Sequence, residues 1–147
     1  MNDLYDEDFV AWSERQAALL RRRAAGELVN DAEIDWTNVA EEIEAVGGST
    51  RRELRNRLAR LLQHLLKWHY QPDHRSRGWR VTIRTQRQEI EDLLTDNPSL
   101  RPRLSEMFPV AYQRGRTEAL EETGLLDLPR VSPFTVEQAL ADPLKDE

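Results

Sequence analysis

The residues with the most chemical potential gather around one turn. Trp68 and Tyr70 precede Pro72, Arg75 and Arg77 follow it, and Trp79 and Arg80 come next, with Arg84 and Arg87 continuing at four- and three-residue spacing. Guanidinium groups match carboxylate and phosphate oxygens with paired donors, so this pattern suits an anion. Aromatic rings beside them offer a surface on which bases can stack. Two plainer accounts compete. The arginines can pair with the chain's own carboxylates, and the three rings can simply pack across the turn.

Two further groups are weaker. His64, His69 and His74 lie five residues apart. On a helix that spacing turns the first two about 140° from each other, whereas helical metal ligands sit one turn apart. Glu41, Glu42 and Glu44 form an acidic set suited to acid–base work or a divalent ion. Acidic helix faces more often stay solvated or pair with arginine. The alternative function built on these groups is a small-molecule or metal-binding bundle, with an enzyme as one form of it. Its site would lie between the second, third and fourth helices, using His64 and the Glu41–Glu44 carboxylates. No cysteine is present, which excludes disulfides, thiolate zinc sites and a cysteine nucleophile. No glycine-rich phosphate loop, nucleophile elbow or dinucleotide fingerprint occurs. No catalytic residue, metal or cofactor is assigned.

Charge is segregated. Residues 49–103 hold 13 basic and six acidic side chains, a net +7; residues 1–48 carry −8 and residues 104–147 carry −5. The whole chain is at −6, which argues against strong nucleic-acid binding, because that affinity comes largely from neutralising phosphates. Of the 21 basic residues, only Lys67 and Lys145 are lysine.

The elements that must position these groups read as helices. Leucine occurs 20 times, valine and isoleucine together 12, a bias away from pleated sheet. A first helix is expected from about Asp6, as its cap, to Ala25, with Gly26 as its stop. A second follows the cap Asp35, with Val39, Ile43 and Val46 as its stripe. Gly47-Gly48 either ends that helix or merely kinks it. Thr50 with Glu53 fits a capping box for a third helix. Leu54, Leu58, Leu61, Leu62, Leu65, Leu66 and Trp68 cover about 160° of its circumference. This helix should be central, touching at least two neighbours. A fourth carries Trp79, Ile83, Ile90, Leu93 and Leu94. A fifth starts at Asn97-Pro98 and runs to Gly124, with a kink or break expected at Pro109. The tail from Leu125 should be largely irregular, with one turn of helix after Thr135. The sum is an all-α, compact helical bundle of four to five helices with short Gly/Pro breaks. It forms a single α-helical domain over 1–147, with its core at 4–124 and a tail at 125–147.

Several stretches carry a family resemblance: Leu65-Leu66-Lys67-Trp68-His69-Tyr70-Gln71-Pro72, Arg75-Ser76-Arg77-Gly78-Trp79-Arg80, Gln86-Arg87-Gln88-Glu89-Ile90 and Asn97-Pro98-Ser99-Leu100-Arg101. With Tyr5-Asp6-Glu7-Asp8-Phe9, Glu41-Glu42-Ile43-Glu44 and Glu122-Thr123-Gly124, they make the chain resemble, from about Leu4 to Leu140, the bacterial and cyanobacterial family called domain of unknown function 29. The resemblance implies a stand-alone helical bundle and carries over no catalytic residue.

The expected function is a non-enzymatic interaction module. Trp68, Tyr70, Arg75, Arg77, Trp79, Arg80, Arg84 and Arg87 would engage an anionic partner, an acidic protein or a nucleic acid. A homo-oligomer formed through Leu28, Val29, Leu125, Leu126 and Leu128 is a further possibility. The opening residues show no basic n-region or apolar run, and no stretch approaches the roughly 20 apolar residues of a membrane span. A soluble, cytoplasmic protein without a membrane partner is expected.

Overall fold

The computed structural model describes residues 4–144, and every regular element in them is helical. The helices are α1 (Leu4–Glu7), α2 (Phe9–Ala24), α3 (Trp36–Tyr70), α4 (Arg77–Asp96), α5 (Leu104–Thr123) and α6 (Val136–Ala141), with single 3-10 segments between several of them. No described helix is long and apolar enough to cross a membrane. The chain divides into two compact units, residues 1–49 and 50–147.

In the first unit the expected opening helix is split. Asp8, not Asp6, is the cap of the longer piece, its carboxylate accepting from the Ala11 amide at 3.0 Å. Gly26 ends the helix with φ of 86°, a left-handed conformation in which glycine pays no Cβ penalty. Asp35 caps α3 as the sequence suggests, and also accepts from the Trp12 indole at 3.0 Å. The buried Gln16 amide is used at both ends, its nitrogen donating to the Glu33 carbonyl and its oxygen accepting from the Asp35 amide. These bonds fix the entry of α3 against α2, since buried polar groups are costly unless paired.

Gly47-Gly48 does not interrupt the second element: α3 is continuous over 35 residues. Each internal glycine costs a helix about 1 kcal/mol, which the long leucine-rich half that follows offsets. The proposed Thr50 cap therefore has no helix start to serve, and Glu53 instead pairs with Arg57 one turn on, at 3.0 Å.

The second unit is built around the C-terminal half of α3. Leu54, Leu58, Leu61, Leu62, Leu65, Leu66 and Trp68 are all buried to 2% exposure or less. Ile83, Ile90 and Leu94 of α4 and Phe108, Ala111, Tyr112 and Ala119 of α5 share the same cluster. Gly115 brings α5 against the backbone of α3 at Ala59 and Gln63. Of the kink or break expected at Pro109, the break into two helices is absent. The chain breaks earlier, in the 3-10 segment Pro98–Arg103, and α5 runs through Pro109 at its sixth position. Ser105, whose carbonyl loses its partner to the proline ring, is exposed to water. Gly124 closes α5 with φ of 72°.

The tail carries the expected short helix, with a capping box between Thr135 and Gln138. Leu128 and Ala139 nonetheless sit in the apolar cluster, and the Tyr112 hydroxyl donates to the Pro129 carbonyl. Leu128 is thus internal packing and no interface residue, while Leu28 and Leu126 are fully exposed.

Candidate anion-binding face

Gln71-Pro72 ends α3, a 3-10 turn spans Pro72–His74, and the Ser76 hydroxyl caps α4 by accepting from the Trp79 amide. Helix α4 starts at Arg77, so Arg77, Arg80, Arg84 and Arg87 form one stripe along it at spacings of three, four and three.

The turn gathers the aromatic residues, but two of the three are committed to packing. Trp68 is 1% exposed, and the guanidinium carbons of Arg75 and Arg80 lie 5.0 and 5.1 Å from its ring centre. Arg75 also donates to the Trp68 carbonyl at 2.8 Å. Each guanidinium–ring contact contributes on the order of 0.5–2 kcal/mol. A ring so covered is not a platform for an external base. Trp79 is half-buried, with the Lys67 ammonium 4.7 Å over its ring. Tyr70 alone is substantially exposed, at 43%. It borders a separate cavity of about 430 Å³ with His69, Phe134 and Arg87.

The arginines divide into pairing and open groups. Arg57 pairs with Glu53 and Glu89, and Arg101 with Glu91. Arg87 is a structural clamp, its Nε donating to the Ala139 carbonyl at 2.8 Å and its Nη2 to Gln138 at 3.4 Å. It thus meets the negative end of the α6 dipole. Arg77 and Arg84, by contrast, are exposed and make no ion pair among the described residues. Arg80, Arg84 and Arg87 border a groove of about 460 Å³ whose far wall is Leu140 and Leu144. Glu91 adds a single carboxylate at its edge.

A buried lysine paired with a half-exposed glutamate was not legible in the sequence. The Lys67 side chain is 2% exposed, and its Nζ donates to Glu122 Oε1 at 2.6 Å. Gln63 donates to the other oxygen, also at 2.6 Å. The ammonium bond holds the Glu122 carboxyl below the usual carboxylate range. Lys67 falls about 100° outside the leucine arc; α5, packing on that outer side, buries it.

The metal-site alternative loses its geometry. It needed two helices facing each other, yet Glu41, Glu44 and His64 all lie on the single helix α3. Ligands for one ion must be about a turn apart on one helix, and these are 20 or more residues apart. No group of three or more His, Asp or Glu suited to a metal occurs among the described residues. His64 is buried, with Nδ1 3.0 Å from the Arg60 carbonyl. An acceptor there requires Nδ1–H, and burial lowers the imidazole pKa, so the ring is held neutral.

Neither the curated proteins nor the solved structures contain a match to this chain. The family model described as "Domain of unknown function DUF29" matches residues 4–144. That span takes in α1 to α6 and the whole arginine stripe, and the chain belongs to this family.

Proposed function

We propose that this protein is a non-enzymatic interaction module, and that the arginine stripe of α4 binds an acidic segment of another protein. The observation that carries this reading is the pair Arg77 and Arg84: exposed, without ion pairs among the described residues, and in line with Arg80 beside a groove with an apolar far wall. Cations left unneutralised on a chain of net charge −6 are a local feature with steering value. The apolar wall favours an amphipathic helix, with carboxylates at one-turn spacing to meet the stripe and aliphatic side chains to meet Leu140 and Leu144. The burial of Trp68 and the overall negative charge favour protein over nucleic acid.

The test uses a fluorescently labelled amphipathic helical peptide with glutamates at i, i+4 and i+7, titrated at rising salt. Binding at low salt is expected, weakening by tenfold or more in Arg77→Glu/Arg84→Glu, with thermal stability unchanged because both side chains are exposed. Equal affinity for parent and variant defeats the proposal. So does tighter retention of single-stranded DNA than of the peptide.

A further inference from the structure

The first half of α5 and the stretch of tail that leads into α6 enclose a cleft of about 400 Å³. Phe108, Pro109, Phe134 and Val136 form its apolar walls. A concavity of that size, apolar with a few polar points, is the usual form of a small-molecule site. None of the arginine stripe borders it.

The polar groups around the cleft say what fits it. Most of them already have partners within the chain. The Tyr112 hydroxyl donates to the Pro129 carbonyl. The Ser132 hydroxyl donates to the Phe134 carbonyl and accepts from the Phe134 amide. Thr135 caps α6, and the Gln113 amide nitrogen donates to the Arg130 carbonyl at 2.6 Å. Two groups are left over. The Arg130 side chain is exposed and makes no hydrogen bond or ion pair among the described residues. The Ser105 carbonyl has no helical donor, because Pro109 lacks an N–H. No carboxylate borders the cleft, so the guanidinium meets no anion of the chain's own there.

Gln113 ties the Arg130 backbone to α5 two helical turns beyond Ser105, about 12 Å along the axis. We infer that this cleft binds a small amphipathic acid. Its carboxylate meets Arg130, an apolar body of about 12 Å lies along Phe108 and Phe134, and a terminal hydroxyl donates to the Ser105 carbonyl. The site shares no residue with the arginine stripe and stands or falls separately from the acidic-partner proposal.

The probes are ω-hydroxydecanoate, decanoate and decanediol, titrated into the full chain by calorimetry. The hydroxy acid should bind about tenfold more tightly than the diol, which keeps the body and loses the charge. It should bind about threefold more tightly than decanoate, which lacks the donor for Ser105. Arg130→Gln should remove the preference for acid over diol without lowering the melting temperature, since the side chain is exposed. Arg77→Glu/Arg84→Glu should change none of the affinities. No binding of the hydroxy acid at millimolar concentration overturns the inference, as does a diol bound equally well. Undiminished affinity for the acid in Arg130→Gln overturns it too. Decanoate bound as tightly as the hydroxy acid overturns the role of the Ser105 carbonyl.

Discussion

The close approach at Gly115 gives a prediction whose sign can be worked from distances. A Cβ built there lies 2.6 Å from the Ala59 carbonyl oxygen, 3.0 Å from the Gln63 nitrogen and 3.3 Å from Leu62 Cβ. The nearest obstacle is backbone, about 0.8 Å inside an ordinary 3.4 Å contact, so α5 and α3 must separate. Overpacking of that kind costs about 1–3 kcal/mol, here toward the upper end because no flexible side chain can yield. Alanine recovers about 1 kcal/mol of helix propensity. Gly115→Ala should therefore destabilise the fold by about 2 kcal/mol, a melting-point drop of roughly 5–8 °C for a chain of this size. Gly78, in the first turn of α4, provides the opposite case. Its added Cβ meets only Ser76 Oγ at 3.7 Å. Gly78→Ala should be neutral or stabilise by up to about 1 kcal/mol. Urea unfolding followed by far-UV circular dichroism reads both, with the m-value checking cooperativity. A Gly115→Ala variant as stable as the parent would refute the packing of α5 on α3 described above.

Two further predictions concern buried charge. Glu122→Gln leaves the Lys67 ammonium buried without its counter-ion, and should cost about 1–3 kcal/mol at neutral pH in the same assay. Because the Glu122 carboxyl is held below its unfolded value, its contribution is complete above about pH 4.3 and is lost as pH falls through the folded value. The acid limb of the stability profile should flatten in the variant. His64 carries the same sign: burial depresses its folded pKa, so stability present above about pH 6.5 is lost as acid protonates the unfolded chain first. Unfolding at pH 5 and pH 7.5 should show a difference that shrinks in His64→Gln; an unchanged difference would place the titration elsewhere.

Periodicity is the part of this structure that a single sequence carries well. The arc from Leu54 to Trp68 is central because seven large apolar residues cannot be covered by one neighbour, and the coordinates bury every one of them. The all-helical class follows from the same pattern. Local punctuation was less readable. Gly47-Gly48 weakens a helix without ending it, Asp8 rather than Asp6 caps α2 because Asp6 lies inside α1, and Pro109 is tolerated because Ser105 faces water. The candidate face was legible as a set of arginines but not as roles. Spacing places Arg80, Arg84 and Arg87 on one line, yet only the folded tail shows that Arg87 holds α6 while Arg84 points free. The apolar stripe of Val39, Ile43 and Val46 was visible too, but periodicity cannot distinguish a core stripe from an exposed one, and Ile43 and Val46 are exposed.

The covering of Trp68 by two guanidinium groups has an optical consequence. An indole shielded from water emits at short wavelength, and its emission responds to cations stacked on its face. Arg80 belongs both to that stack and to the groove beside Leu140. A ligand that draws the Arg80 guanidinium outward changes the environment of a ring it never touches. Trp68 emission is therefore the label-free readout for the binding proposed at the α4 groove.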